Sequence, residues 1–166
     1  VDIYENLAGI QWSKLIMNLN NSVNALSGKP LVEQLNEKGY REIMAKVISE
    51  AQAVTSAAGI KLERTGKVVP AILPMILRLP TWLFTRVASA MLKMDPDARS
   101  SMYEDLQLRR ATEIDFLNGE IVKLANKLQI PTPVNQLLVS LIKDAEKVKQ
   151  GSPQLTSQEL LHQLTQ

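Results

Sequence analysis

Residues Trp12–Gly28, WSKLIMNLNNSVNALSG, decide how the chain is read. At about 3.6 residues per turn, Trp12, Leu15, Ile16, Leu19, Val23 and Leu26 fall on one side of a helix. Lys14, Asn18 and Asn21 fall together on the other side, spaced by four and three. Asparagine is a mediocre helix former because its side chain competes for nearby backbone groups. A purely solvated face is more readily built from Glu, Lys, Gln and Arg. Two readings stand at this point: donors held towards a polar ligand, or a surface helix that happens to be rich in asparagine.

Working outward, 166 residues suffice for one domain with a proper core. Composition is that of a globular protein, 45% hydrophobic and 22% charged. A net charge of +2 is too small to suggest a nucleic-acid surface. With no cysteine there is no disulfide framework, thiolate metal site or cysteine nucleophile, which fits a cytoplasmic protein. The opening VDIYENLAGIQ carries acids and no apolar segment, so no signal peptide is expected. It also lacks a methionine, so the chain is expected to be a fragment or a processed form.

Helical patterns dominate, and the expected fold class is all-α. The first helix is expected from Tyr4 to Leu26, stopped by Gly28 at the C-cap, with Pro30 opening the next. Helices are then expected over Leu31–Lys38, ending at Gly39, and over Arg41–Ala58, ending at Gly59. Ile60–Lys67 reads as a polar connection. The apolar stretch Val68–Met94 is broken by Pro70, Pro74 and Pro80 and charged by Arg78 and Arg86, so a membrane span is rejected. Short helices flanking Pro80 are expected instead, in the core or in a subunit contact. Asp95–Arg99 is a turn into Ser100, followed by helices over Met102–Arg110, Thr112–Leu128 and Asn135–Lys149. Ser157 is expected to cap a last helix, Gln158–Leu164.

The candidate chemistry is sparse. His162, the lone histidine, lies between leucines and reads as a surface or packing residue. No glycine pattern offers a nucleotide phosphate cradle, and the acids lack metal-ligand spacing, so no metal is expected. Ser100–Val122 is the second informative stretch: Glu113 sits among apolar residues, and Asn118-Gly119 interrupts a good helix pattern. A mid-helix glycine costs about 1 kcal/mol against alanine, which points to close packing. On pattern alone Glu113 reads as a solvated carboxylate, or as one paired with Arg109.

Five ordered motifs change the balance. W-x-K-L-x-x-N covers Trp12–Asn18, A-L-x-G ends at Gly28, and S-S-M-x-x-D covers Ser100–Asp105. T-E-I-D-x-x-N-G covers Thr112–Gly119, and I-P-T-P-x-N covers Ile130–Asn135. Together they resemble the C-terminal domain of the ketopantoate reductase (2-dehydropantoate 2-reductase) family, a helical domain similar to the C-terminal part of 6-phosphogluconate dehydrogenase. The resemblance implies a substrate-binding and dimerising domain, residues 1–166, of an NADPH-dependent reductase of a small 2-oxo acid in pantothenate biosynthesis. It implies that an N-terminal Rossmann domain, absent from this chain, holds most of the NADPH. This chain alone is therefore expected to bind no cofactor and to be inactive.

The resemblance also assigns roles. Lys14 corresponds to the general acid and Glu113 to the acid that engages the substrate hydroxyl. Asn18 and Ser101 correspond to substrate-binding residues, Ser101 at the carboxylate. The family's second asparagine lies four residues after the first, where this chain has Ser22. Counting back from Gly28 selects Asn21 instead. The apolar insertion Val68–Met94 is a second departure and leaves the identity of the 2-oxo acid open. The rival expectation is a non-catalytic helical oligomerisation module in which Val68–Met94 forms the contact surface. Neither reading involves nucleic acid or a membrane.

Overall fold

The computed structural model describes residues 2–66 and 68–166, and side-chain surroundings from Leu7 onward. Ten α-helices account for the architecture among these residues, joined by two 3-10 turns; the sole strand-like feature is an isolated bridge between Thr65 and Val68. The all-α expectation holds. No described helix is long and apolar enough to cross a membrane.

The opening helix is two helices, α1 (Asp2–Asn18) and α2 (Asn20–Ser27). At the break, the Leu19 N–H reaches the Ile16 carbonyl at 3.2 Å, a three-residue step that tightens the turn. The Ser22 hydroxyl donates to the Leu19 carbonyl at 3.0 Å and holds the break. α2 ends as expected at Gly28, whose φ of 68° suits a residue without Cβ. Pro30 is the N-cap of α3 (Leu31–Asn36), one residue before the expected first helical position.

Gly39 does not end a helix. It lies in the first turn of α4 (Lys38–Ala57), where an added Cβ would collide with the Ser157 side chain. Its absent side chain serves packing, which a stop-signal reading cannot distinguish. α4 is the central helix: Ile43, Val47, Ile48, Ala51 and Val54 are buried at helical spacing, and α5, α8, α9 and α10 all pack on it.

Val68–Met94 forms short helices around its prolines, α5 (Leu73–Leu77) and α6 (Thr81–Val87). Arg41, fully buried on α4, fastens them. Its guanidinium donates to the carbonyls of Leu35 (2.8 Å), Leu77 and Leu79 (both 3.2 Å) and to the Thr81 hydroxyl (3.0 Å), and stacks 4.4 Å from the Phe84 ring centre. Burial lowers the guanidinium pKa from its ordinary value, but carbonyl acceptors satisfy the charge.

α7 spans Ser101–Gln107. Thr112–Leu128 is not one helix: Ile114–Phe116 form a 3-10 turn and α8 begins at Asn118, so Gly119 sits at a helix start, not mid-helix. α9 (Pro133–Val148) opens on Glu50 of α4, whose carboxylate accepts from the Val134 and Asn135 N–H groups, both at 2.9 Å. Asn135 and Asn118, fully buried, bond to each other at 3.0 Å and lock α8 to α9. The cap of α10 (Ser157–Gln163) is Thr156, in a capping box with Glu159. Ser157 instead donates its hydroxyl to Glu37.

Candidate active site

Period and burial agree on the two faces of α1–α2. Ile16, Leu19, Val23 and Leu26 are buried, while Lys14 and Asn18 are exposed and Asn21 is half-buried. Ser22, the alternative to Asn21, is fully buried with its hydroxyl committed to the Leu19 carbonyl. The Asn21 amide makes no hydrogen bond to a described residue and remains available.

α7 is delivered to this face by its N-cap. The Ser100 hydroxyl accepts from the Tyr103 N–H (3.2 Å) and donates to the Asn21 carbonyl (3.2 Å); its N–H donates to Asn24 Oδ1 (2.9 Å). Of the two serines in S-S-M, Ser100 is therefore buried and structural, and Ser101 is exposed beside the Asn21 turn. Asn24 is the residue that sequence reading missed. Fully buried, it also donates to the Lys29 carbonyl (3.0 Å) and to Gln34 Oε1 (2.9 Å). Gln34 in turn donates to Asn20 Oδ1 at 2.7 Å. One continuous chain, Asn20–Gln34–Asn24–Ser100, thus fixes α2, α3 and α7 beneath the exposed row. The only local signal was the density of asparagines.

Glu113 is exposed at the start of the 3-10 turn. The expected pairing with Arg109 is absent; Arg110 pairs with Asp105 at 3.1 Å instead. Residues on both sides of Glu113 are clamped to α9. The Thr112 N–H and hydroxyl both donate to Glu146 Oε1, at 2.8 and 2.7 Å. Lys143 pairs with Asp115 at 2.6 Å and with Glu146 at 3.4 Å. The Asp115 hydrogen bond raises the Lys143 pKa, with the Glu146 charge adding to it against desolvation. Glu113 itself is held by backbone placement and keeps its carboxylate free of ion pairs with the described residues.

The structure therefore joins Asn21 to Ser100–Ser101 directly. Lys14, Asn18 and Glu113 make no hydrogen bond or ion pair to that junction, although α9 packs both on α2 and on the 3-10 turn that follows Glu113. Among the described residues no cluster of three metal-ligating side chains occurs. His162 is exposed, with its ring 3.0 Å from the Gln166 amide, a surface placement.

Comparison with known proteins bears on this arrangement. The family described as "Ketopantoate reductase PanE/ApbA C terminal" matches residues 6–146. A 2-dehydropantoate 2-reductase of Pyrobaculum aerophilum is 30% identical over 89% of this chain and 47% of its own length. That of Pyrococcus horikoshii is 29% identical over 91% of this chain and 44% of its own. A PanE/ApbA-family ketopantoate reductase structure from Ralstonia eutropha superposes with a TM-score of 0.64 at 31% identity, over 84% of this chain and 41% of that one. D-mandelate dehydrogenase, solved with NADH and anilino(oxo)acetate, shares the fold with a TM-score of 0.64 at 20% identity, covering 83% of this chain and 40% of that one. This chain spans less than half the length of these relatives. It belongs to the ketopantoate reductase C-terminal domain family.

Proposed function

We propose that this chain is the substrate-binding half of an NADPH-dependent 2-oxo acid reductase, with ketopantoate as the leading substrate and pantoate as product. The observation that carries this reading is the row of exposed Lys14 and Asn18 and half-buried Asn21, set on a buried hydrogen-bond network beside Ser101, in a chain of this family. Gly28, Gly59 and Gly119 sit at helix ends, Gly9 lies inside α1 against the Lys61 carbonyl, and Gly66 lies in the turn of the Thr65–Val68 bridge. On this reading NADPH is held mainly by a nucleotide-binding domain outside these residues, and supplies hydride when bound.

Reduction at C2 places negative charge on the ketone oxygen. The Lys14 ammonium stabilises that charge and gives up a proton to it. Arginine could not take this role, because its guanidinium does not give up its proton. Asn18 and Asn21 donate to the substrate from adjacent turns, Ser101 binds the carboxylate, and Glu113 accepts from the product hydroxyl. We extend the reading to a cytoplasmic homodimer; the ketopantoate reductase of Staphylococcus aureus, which shares the fold (TM-score 0.60, 17% identity), is described as dimeric. The test is NADPH oxidation by the complete enzyme with ketopantoate, expected to depend on the 2-oxo acid. Turnover by the 166-residue chain alone would contradict the division of labour.

One observation favours a second reading for part of the chain. Met75, Trp82 and Val87 are exposed on α5–α6, Trp82 at 70%, and Ile72 is exposed just before α5. An apolar cluster of this kind marks a protein contact. Light scattering of a Trp82→Ala, Leu83→Ala variant checks it, a drop in mass being the expected result.

A further inference from the structure

The polar row is not carried by one continuous helix. Lys14 and Asn18 belong to α1 and Asn21 to α2, with the break at Leu19 between them. Leu19 stays in the helical region, but its ψ of −22° is that of a 3-10 turn. No proline or glycine lies between Ile16 and Ser22 to cause this. The Ser22 hydroxyl on the Leu19 carbonyl is a local cause, since such a back-bond bends a helix. It permits a bend without fixing its direction.

The two halves are fastened to different parts of the molecule. Beside Lys14, the Glu63 N–H donates to the hydroxyl of buried Ser13 at 2.9 Å. One turn earlier, Gly9 lies against the Lys61 carbonyl with no room for a Cβ. α2 packs mainly on α7 and α9 instead. One side chain reaches the joint itself. Gln34 of α3, fully buried, donates from Nε2 to Asn20 Oδ1 at 2.7 Å and to Met44 Sδ of α4 at 3.7 Å. Its Oε1 accepts from Asn24 Nδ2 at 2.9 Å. Asn20 is the first residue of α2, and α1 also packs on α4. Gln34 thus ties the first turn of α2 to the helix that supports Lys14 and Asn18.

We propose that Gln34 is a positioning residue for the reduction: by clipping Asn20 towards α4 it sets the bend at Leu19, and so the alignment of Asn21 and Ser101 against Lys14 and Asn18. The proposal rests on the reductase reading above. On that reading the substrate is gripped from both sides of the bend, its carboxylate at Ser101 and its ketone oxygen at Lys14. Ser101 travels with α2, because Ser100 donates its hydroxyl to the Asn21 carbonyl and its N–H to Asn24. A change of bend therefore moves the two grips relative to each other. A misplacement of about 1 Å at a reacting centre costs up to about a hundredfold in rate. Apolar packing is non-directional, whereas an amide engaged at both ends admits one placement of Asn20.

The test uses the complete enzyme. Gln34→Met keeps the length and bulk of the side chain, so the core stays filled, and removes both amide bonds. It should raise KM for the 2-oxo acid about tenfold and leave KM for NADPH unchanged within about twofold. A merely structural loss lowers the fraction of active enzyme, which reads as a lower kcat at unchanged KM; that result overturns the proposal. Asn20→Ala removes the other end of the clip and should raise KM alike. The double variant should then be no worse than the worse single one. Effects that multiply would mean two independent contributions and overturn the clip. Crystal structures of the complete parent and Gln34→Met enzymes separate this claim from the reductase reading. If the parent reduces no 2-oxo acid, that reading fails, yet a change of about 1 Å in the Lys14–Asn21 Cα separation still upholds Gln34 as the residue that sets the bend. An unchanged separation overturns it.

Discussion

Asn18 and Asn24 lie on the same helical stretch, yet the structure uses them in opposite ways. Asn24 is fully buried, with its amide bonded to Lys29, Gln34 and Ser100 across three elements. Asn18 is exposed and has no hydrogen-bond partner among the described side chains. A buried amide must be satisfied or it destabilises the fold. An exposed amide on a rigid base is free to be satisfied by something else. The difference teaches that residue type does not identify a binding residue; the partners already taken do. Asn24 builds the platform, and the row Lys14–Asn18–Asn21 stands on it.

The largest expected effect falls on the exposed side. Lys14→Ala in the complete enzyme should lower kcat by about 10²–10⁴-fold, with NADPH affinity and the denaturation midpoint nearly unchanged. A loss of stability in place of activity would move Lys14 to the structural side. The buried side should show the converse: Asn24→Ala should cost about 2–4 kcal/mol in chemical denaturation, because it orphans the Ser100 N–H and weakens the α2–α7 junction. Between the extremes lies the Glu113 clamp. Glu146→Ala should cost about 2 kcal/mol and raise KM for the 2-oxo acid more than it lowers kcat, since Thr112 loses both hydrogen bonds. Equal KM in variant and parent would free Glu113 from dependence on α9.

The smallest effect is a pH slope. Burial, with the Glu37 carboxylate adding to it, pushes the Tyr40 phenol from 10.0 up to about 12, while its hydroxyl donates to the Leu155 carbonyl at 2.8 Å. The folded state therefore holds this proton more tightly than the unfolded chain. Its contribution is fully present below pH 10.0 and fades as the pH rises towards about 12. Urea titrations across that window should show a shallower decline in Tyr40→Phe than in the parent.

Much of the fold was legible because its signals are local. Buried positions on α2 and α4 follow the helical period, and Gly28 and Gly59 occupy the left-handed conformation that ends a helix. Two of the misreadings have a remote deciding partner. Gly39 is explained by Ser157, and the start of α8 at Asn118 by its bond to Asn135. The site divides in the same way. The row Lys14–Asn18–Asn21 follows from spacing, and the roles of Ser101 and Glu113 came from family resemblance. Asn24 with Ser100, separated by 76 residues, and Thr112 with Glu146, separated by 34, leave no local pattern to read.

The central claim is that Lys14 faces the carbon that is reduced. A crystal structure of the complete enzyme with NADP and oxamate, a non-reducible 2-oxo acid mimic, tests it most directly. The account predicts Lys14 Nζ within about 3 Å of the oxamate carbonyl oxygen, with the oxamate carboxylate at Ser101. Oxamate bound in a cleft that Lys14 does not line would contradict it.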